Sequence, residues 1–292
     1  MLYDILLKID YEYMYPVANA RHLLRVLPRT QGGQQRVIAA AIDLAPLPTT
    51  SVQLVDFFGN AGHAIQYRHE HEAIAITLKA RVDRQATRPS GGIPSRLGEL
   101  AGELTRWPDL GAESPLHFLA PSPRVNDVEP FRDFARAAVR DDMPLDVAVR
   151  TMSDAIRARM TFDDKATEVD TTPKEAFEKG RGVCQDYSHI MIACLRSLGV
   201  PAGYVSGFLR TIPPPGKERL PGSDAMHAWV RVWCGGSTGW LEYDPTNALD
   251  VADDHILVGY GRDYADVAPI RGVSRTAGGQ KGKHTVDVIP LG

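Results

Sequence analysis

The sequence predicts an α+β protein, with an antiparallel β-sandwich-like domain at the N-terminus and then a domain in which helices precede strands. Two observations support this prediction. Residues 1–85 hold short β-rich runs separated by turn signals. From residue 130, apolar residues recur every three or four positions, and strand-like runs return only after residue 201. We therefore expect a β domain over 1–85, a connector over 86–130, and a second domain with the C-terminal segment over 131–292.

Composition excludes several classes of protein. Hydrophobic residues make up 43% and charged residues 24% of the 292 residues, as in a globular protein with a sizeable core. A formal net charge of -3 gives no field that would attract nucleic acid or an anionic membrane. The N-terminus lacks the basic region and cleavage site of a signal peptide, and no apolar run is long enough to span a bilayer. We expect a cytoplasmic protein.

The cysteine and histidine patterns do not indicate a metal site. Cys184, Cys194 and Cys234 form no CxxC pair and are odd in number, which argues against a disulfide scaffold or a zinc site and favours a reducing compartment. His69 and His71 share a predicted strand face and could chelate a metal, but no third ligand is evident. A polar outer face is the simpler interpretation. We expect neither a metal nor a cofactor.

Six runs predict the strands of the N-terminal domain. Along the last run, apolar residues at every second position alternate with polar or small ones, which predicts one buried and one exposed face. The apolar set of that run is Ile74, Ile76, Leu78 and Val82. The six runs are 5–9, 22–27, 36–44, 51–58, 63–69 and 72–82.

The connector and the helices that follow it have distinct signals. Residues 86–125 are rich in proline, glycine and serine, which indicates a connector with at most a short helical turn. Helices are then predicted over 131–140 and 144–160. Thr172 to Glu175 form a capping box with a proline, which predicts a short helix that ends at Gly180. The buried stripe of the 144–160 helix is Leu145, Val149, Met152, Ile156 and Met160.

The stretch GRGVCQDYSHIMIACLRSLGVP, residues 180–201, predicts a helix that begins at Cys184 and carries one buried stripe. Gly199 followed by Val200-Pro201 is a helix stop. At the helix start, free backbone N–H groups and the helix dipole favour a cysteine thiolate. The alternative for Cys184 is a small buried residue beside a turn. Cys194 lies within the stripe and, like Cys234, is interpreted as packing.

A nucleophilic cysteine needs a base and an orienting acid, and the chain offers both. His227 lies on a predicted strand and shares a face with Trp229, Arg231 and Trp233. Asp244 ends the next strand, just before a proline, where its carboxylate could hold the imidazole. The order Cys, His, Asp predicts a catalytic triad. Each residue also has a structural interpretation, as a hydrogen-bonded strand histidine and as an aspartate that starts a turn.

Several sequence blocks resemble the bacterial transglutaminase-like superfamily. They are GVCQDYSHI, LRSLGVPAGYVSGF, HAWVRVW, GWLEYDPTN and GYGRDYADVAPIRG, and they lie between residues 155 and 275. The first 85 residues resemble the N-terminal β domain of the same branch. The resemblance implies a papain-like catalytic core whose nucleophile helix packs on an antiparallel sheet. It also implies a Cys184, His227, Asp244 triad and acyl transfer at an amide through a thioester.

The sequence departs from animal transglutaminases in three features. Gln185 follows the cysteine where they have tryptophan, and the upstream segment RMTFDDKATEVD contains no tryptophan that could help to hold the oxyanion. The Cys184 N–H is one possible oxyanion donor, and the Gln185 side chain is a candidate for the second. The acidic pairs at 163–164 and 253–254 lack the spacing of a calcium loop. These departures favour hydrolysis or a small-amine acceptor over calcium-dependent crosslinking.

Other residues are assigned to the surroundings of the triad. Asp186 is expected to satisfy N–H groups of the first helical turn. His189 lies about 140° round the helix from Cys184, too far to act as its base. The Pro- and Gly-rich loop over 210–224 is a candidate wall or lid of the cleft. The candidate cleft residues are Tyr187, Trp229, Arg262 and Tyr264. Arg262 and Tyr264 are expected either to bind substrate or to hold the C-terminal segment in place.

The sequence thus predicts a cysteine-dependent amide hydrolase or acyl transferase, most simply a protease, that acts on a peptide, protein or isopeptide-like bond. The alternative is a non-catalytic protein-binding module that kept the fold. Retention of all three triad residues argues against that alternative. A redox-sensing Cys184 would need a resolving thiol, and Cys194, about 15 Å along the same helix, is out of reach.

Overall fold

The computed structural model describes residues 1–85, 92–212, 216, 219–275 and 278–291. It has the α+β architecture that the sequence predicts. The helices are α1 (Leu100–Leu104), α2 (Arg132–Ala138), α3 (Leu145–Arg159), α4 (Pro173–Lys179), α5 (Cys184–Ser197) and α6 (Tyr264–Val267). The strands are β1 (Leu2–Leu24), β2 (Gln35–Ala45), β3 (Thr50–Val55), β4 (Ala61–Tyr67), β5 (His71–Arg84), β6 (Thr161–Phe162), β7 (Arg181–Gly182), β8 (Ala202–Leu209), β9 (Ala225–Trp233), β10 (Trp240–Asp244), β11 (Leu249–Asp250), β12 (His255–Gly261), β13 (Ile270–Arg275) and β14 (Gln280–Leu291).

A single long strand, β1, organises the N-terminal domain. Its first half pairs with β5 and its second half with β4, in an antiparallel sheet of order β2-β5-β1-β4-β3. The predicted strands at 5–9 and 22–27 are therefore parts of one strand. Between Glu12 and Val17 the register shifts, in a stretch that contains Pro16, which has no N–H to donate to a ladder. That interruption accounts for the two separate signals in the sequence.

The alternation predicted for β5 is confirmed, since its apolar set is buried. The core below it also takes Phe208 from β8 and Ile256 and Val258 from β12, which belong to the second sheet. This shared core attaches the N-terminal domain firmly to the rest of the chain, because apolar burial is the main driving force of packing.

The C-terminal segment lies differently from the expectation. The prediction attached it to the second domain, but β14 pairs with β1 over the register Leu2↔Leu291 to Tyr13↔Gln280, and β13 also pairs with β1. Such pairing between the two ends of a chain is non-local, and nothing in the local pattern indicates it. The N-terminal sheet is thus completed by the last strands of the chain.

The two histidines considered as a metal pair do not share a strand face. His69 lies in the turn between β4 and β5, whereas His71 begins β5 and is buried. The His71 ring packs on Tyr67 at 4.6 Å and on Tyr13 at 5.7 Å between centroids. The polar outer face is therefore a wrong interpretation for His71, which is part of an aromatic cluster.

The second domain is built on a five-stranded antiparallel sheet of order β11-β10-β9-β8-β12. Helix α5 packs on β8 and β9 and is in turn covered by α2, α3 and α4. Every residue of α5 from Asp186 to Ser197 is buried, a wider burial than the single predicted stripe. The α3 stripe is buried as predicted. The cap of α4 is also confirmed, since Thr172 Oγ1 accepts from Glu175 N at 3.2 Å.

The connector is partly structural. From residue 92 onward it forms α1 and short 3-10 turns, and its Leu97, Leu100 and Phe118 side chains are buried. Residues 86–91 of the connector, and 213–215 and 217–218 of the candidate lid loop, lie outside the described residues. At the loop's base, Asp224 accepts from Val288 N of β14 at 2.7 Å.

The helices were also compared with the dimensions of a bilayer. Among the described residues, none of them is both long enough and apolar enough to cross a membrane.

Candidate active site

Cys184 is the first residue of α5, as the sequence predicts. The chain reaches it through Gly180, which has a φ of 65° and ends α4, and through Gly182. A Cβ at position 182 would lie 2.4 Å from Asp186 Oδ2, so only glycine fits there. Cys184 is half-buried, whereas Cys194 and Cys234 are fully buried. Burial raises the pKa of Cys234 to about 12 and also raises that of Cys194, which makes both thiols unreactive.

The first turn of α5 leaves the Cys184 N–H open. The next N–H groups, of Asp186 and Tyr187, donate to the Val183 carbonyl at 2.9 and 3.1 Å. The Cys184 N–H has no acceptor among the described residues, as expected at a helix N-terminus. An N–H group left open at a helix start can donate to an anion beside it.

His227 lies between the cysteine and a carboxylate. Its Nε2 is 2.8 Å from Asp244 Oδ2, and Cys184 is near enough to favour the charged ring. Burial works against the charged imidazole, but the bonds to Asp244 and Cys184 outweigh it and raise the pKa of His227 to about 10. The three predicted triad residues are therefore brought together, with His227 held as an imidazolium.

The Asp244 carboxylate is fully buried and fully hydrogen-bonded. Burial opposes its charge, but bonds from His227 and His255 hold its pKa well below the usual range. Oδ1 accepts from the N–H groups of Thr246 and Asn247 at 2.9 and 3.1 Å, and Oδ2 accepts from Asn247 Nδ2 at 2.7 Å. Asp244 thus starts a turn with one oxygen and holds the imidazole with the other, so both interpretations of this residue apply.

His255 is a site residue that the sequence reasoning missed. It begins β12, is buried, and places Nε2 3.2 Å from Asp244 Oδ2. Its Nδ1 lies 3.5 Å from Ala252 N, so the fitting tautomer carries its proton on Nε2 and donates it to Asp244. The available signal was a polar residue at the start of the apolar run HILVGYG, because a buried polar group needs a partner.

The same three groups are the ones that could hold a metal. The ligand atoms of His227, Asp244 and His255 lie within 4.8 Å of one another. Both imidazoles already donate to the same carboxylate oxygen, so a cation there would have to displace those protons. The hydrogen-bonded arrangement matches a proton-transfer site as it stands.

The two residues assigned to oxyanion support hold the approach to α5. Gln185 Nε2 donates to the Val169 carbonyl at 3.0 Å, so at least one of its amide hydrogens is engaged away from the sulfur. Asp186 is buried, and its Oδ2 accepts from Val183 N at 2.8 Å and from Thr167 Oγ1 at 2.6 Å. Burial raises the pKa of Asp186. Asp186 thus satisfies an N–H of the first turn, as expected, and ties it to the 163–172 segment.

Two predicted cleft residues are buried instead. Tyr187 packs in the α5 core, and Trp229 lies at the centre of a small cluster where its Nε1 donates to Glu242 Oε2 at 2.7 Å. Arg231, on the same predicted face of β9, is also buried, with its guanidinium 4.0 Å from the Trp240 ring centroid. The prediction assumed one open face for β9, but both faces of this strand are covered.

The other two predicted cleft residues lie at α6. Arg262 binds Asp266 through Nε at 2.8 Å and Nη2 at 3.0 Å, which locks the turn into α6. Tyr264 is half-buried and lines a cavity. Its N–H donates to Nε2 of the buried His189 at 3.2 Å. Burial lowers the pKa of His189 to about 4, so this histidine is neutral and structural.

Comparisons with known proteins agree with the fold. Residues 132–245 match the model of the transglutaminase-like superfamily, and residues 3–83 match that of the bacterial transglutaminase-like N-terminal region. An uncharacterised protein of Mycobacterium tuberculosis is 33% identical over 310 residues, which cover 99% of this chain and 93% of that protein. One of Mycobacterium leprae is 29% identical over 270 residues, covering 90% and 89%.

A solved structure shares the fold. It comes from Cytophaga hutchinsonii, is named a "putative cysteine protease", and superposes with a TM-score of 0.75 at 19% identity. The superposition covers 100% of this chain and 91% of the other. Two family models, a relative that spans the whole chain and a shared papain-like core lead to one conclusion: this chain belongs to the bacterial transglutaminase-like superfamily.

Proposed function

We propose that this protein is a cysteine-dependent amide hydrolase or acyl transferase that acts on a peptide, protein or isopeptide-like bond. The observation that carries the proposal is the chain of contacts from Cys184 through His227 to Asp244. A histidine with a raised pKa, bonded on one side to a thiol and on the other to a buried carboxylate, is arranged for proton transfer. A purely structural histidine needs no thiol beside it.

In the proposed acylation step, the Cys184 sulfur, having given its proton to His227, attacks the carbonyl carbon of the scissile amide. The Cys184 N–H donates to the oxyanion. The His227 imidazolium then gives its proton to the leaving amine as the carbon–nitrogen bond breaks, which leaves a thioester on Cys184.

In the proposed second step, His227 takes a proton from a water molecule or a small amine, which attacks the thioester and frees the sulfur. Asp244 keeps the imidazole oriented and balances its charge through both steps. The second oxyanion donor stays a prediction, with Gln185 as its candidate. The hydrolytic outcome is favoured by the absence of calcium-loop spacing in the sequence.

The test is a trapped acyl-enzyme. The protein is incubated with a peptide library, quenched in acid, and Cys184 is examined by mass spectrometry for an added acyl group. Iodoacetamide labelling near pH 6 provides an independent measure of nucleophilicity, with the buried Cys194 and Cys234 as internal controls. We expect label and acyl group on Cys184 alone, and neither in Cys184→Ala.

The competing function is a non-catalytic protein-binding module. It predicts that Cys184 labels no faster than an ordinary exposed thiol and that no peptide acylates it. Those two results together would overturn the enzymatic proposal.

A further inference from the structure

A cavity of about 670 Å³ lies between the N-terminal domain and the catalytic domain. Its walls come from both domains: Tyr11 and Tyr13 from β1, Arg271 from β13, Tyr264 from α6, and Asp170 from the 163–172 segment. Its volume falls within the range of pockets that bind small ligands or a few residues of a peptide. The cavity is not part of the triad, and the proposed chemistry does not use it.

The cavity lies next to the start of α5. Val169 on its wall accepts the hydrogen bond from Gln185, the residue that follows Cys184. Tyr264 on its wall is bonded through its N–H to His189, one turn further along α5. Its ring also lies 6.2 Å from that of Tyr204, which packs against α5. The cavity wall at Val169 is thus joined by one hydrogen bond to the residue that follows Cys184.

The polar groups of the cavity favour an anion. Two guanidinium groups, of Arg124 and Arg271, line it against the single carboxylate of Asp170. Arg124 Nη2 binds Asp170 at 2.6 Å, but the Asp170 side chain is 78% exposed. Because exposed ion pairs are weak, a carboxylate of the ligand can replace Asp170 at this guanidinium group. Arg271 has no ion pair among the described residues, and guanidinium groups bind carboxylates in a bidentate fork.

The aromatic side chains define the shape of the site. Tyr11, Tyr13 and Tyr264 give it flat apolar walls with hydroxyl groups that can donate to an anion. Arg124 is itself fixed, because its backbone N–H donates at 2.6 Å to Asp263, the cap of α6. The site thus combines fixed aromatic walls with an unpaired cation at the rim.

We propose that this cavity is the subsite for an acidic side chain of the peptide substrate, on a residue close to the one acylated on Cys184. The proposal rests on the proposed function, because it places the acidic residue relative to a bond cut at Cys184. It gives the N-terminal domain a role in specificity, since β1 and β13 supply half of the binding groups.

The test uses pairs of peptides that differ only in glutamate against glutamine, at each of four positions on either side of a candidate bond. The ratio of acyl-enzyme formed on Cys184 from the two members of a pair is measured in 50 mM salt and again in 500 mM salt. We expect a glutamate preference of about tenfold at one position, falling at high salt because screening weakens the ion pair. Arg271→Gln should remove that preference, because it lowers acylation by the glutamate peptide more than acylation by the glutamine peptide.

The matched control is Arg275→Gln, an exposed arginine of the same strand that does not line the cavity, and it should keep the wild-type ratio. Equal acylation by both members of every pair, or an equal loss in both with Arg271→Gln, would overturn the subsite while the enzymatic proposal stands.

Peptide binding to Cys184→Ala, followed by fluorescence anisotropy, separates the two proposals. If no peptide acylates the wild-type protein but glutamate peptides bind this variant through Arg271, the enzymatic proposal fails and the anion subsite stands. If no peptide acylates the wild-type protein and glutamate peptides do not bind Cys184→Ala, both proposals fail.

Discussion

Two buried histidines of the second domain differ sharply in charge. His227 on β9 is 8% exposed and His189 on α5 is 1% exposed, so burial penalises an imidazolium at both positions. Yet the pKa of His227 is raised to about 10, whereas that of His189 is lowered to about 4. Burial alone cannot account for opposite shifts.

The difference lies in the groups around each ring, and at His227 Cys184 adds to the effect of the carboxylate. At His227, Nε2 faces the Asp244 carboxylate, which is itself held by four other hydrogen bonds. At His189, Nε2 accepts from the Tyr264 N–H, which would repel a protonated ring. A buried histidine is therefore charged where its ring faces a hydrogen-bond acceptor such as a carboxylate, and neutral where its ring faces a hydrogen-bond donor. This is what separates the candidate base from a structural residue of the same type.

The largest expected contrast is in acylation. His227→Gln should lower the rate of acyl-enzyme formation on Cys184 by about 10⁴-fold or more, because the general base and acid is lost. His189→Gln removes a ring that does not touch the sulfur and should change the rate less than tenfold. Both rates are measured with the same peptide, and circular dichroism of each variant controls for folding. Comparable losses in the two variants would contradict the assignment of His227 as the base.

Removal of one charge should make His227 resemble His189. Asp244→Asn keeps the size of the side chain, but its amide cannot balance an imidazolium, so the pKa of His227 should fall from about 10 toward or below its ordinary value. Acylation should drop about 10³-fold, since the ring loses both its orientation and its charge partner. The imidazole titration is followed by NMR. A pKa that stays near 10 would show that Cys184, not Asp244, holds the charge.

Sequence reasoning could predict Cys184, His227 and Asp244 as a candidate triad because the signals for these residues are local. A glycine-rich approach and a glycine stop define α5, and Asp244 stands before a proline at a strand end. His189 was predicted to be a poor base from its angle round the helix relative to Cys184, and the structure places it buried beside the Tyr264 N–H. These features depend on neighbours within a few turns or strands.

What could not be predicted depends on distant parts of the chain. His255 begins β12 and contacts Asp244, which ends β10. That contact depends on the order of strands in the sheet, which the sequence of a single strand does not indicate. Trp229 was assigned to the cleft because alternation shows which residues share a face but not whether that face is covered. The pairing of β14 with β1 joins the two ends of the chain. A local sequence pattern does not indicate pairing between such distant segments.

The neutral histidine should destabilise the fold in acid. Because the pKa of His189 is about 4 when folded and 6.5 when unfolded, the unfolded chain binds the extra proton between these values. His189 therefore contributes stability that is fully present above pH 6.5 and is lost as the pH falls toward 4, roughly 3 kcal/mol at most.

Urea unfolding at pH 7.5 and pH 4.5 measures this loss. His189→Gln, which cannot titrate, should lose less stability than the wild type over the same interval. His227 has the opposite sign: its contribution is complete below pH 6.5 and is lost as the pH rises toward 10. An acid loss of equal size in His189→Gln and the wild type would contradict a neutral His189.

A smaller effect on acylation than at His227 or Asp244 is expected at His255, which acts through Asp244. With His255→Ala, Asp244 keeps the bonds from Thr246 and Asn247, so the triad stays assembled and the rate should fall only about tenfold. The freed carboxylate oxygen then interacts more strongly with His227, so the pKa of His227, and with it the alkaline limit of acylation, should move upward.

His255→Gln can restore a donor to the carboxylate and should return both the rate and the alkaline limit toward the wild-type values. A residue that only filled space would alter stability without moving that limit, because packing does not change the charge seen by His227. The direction of the shift in the pH profile therefore decides whether His255 is a positioning residue of the site or part of the core around it.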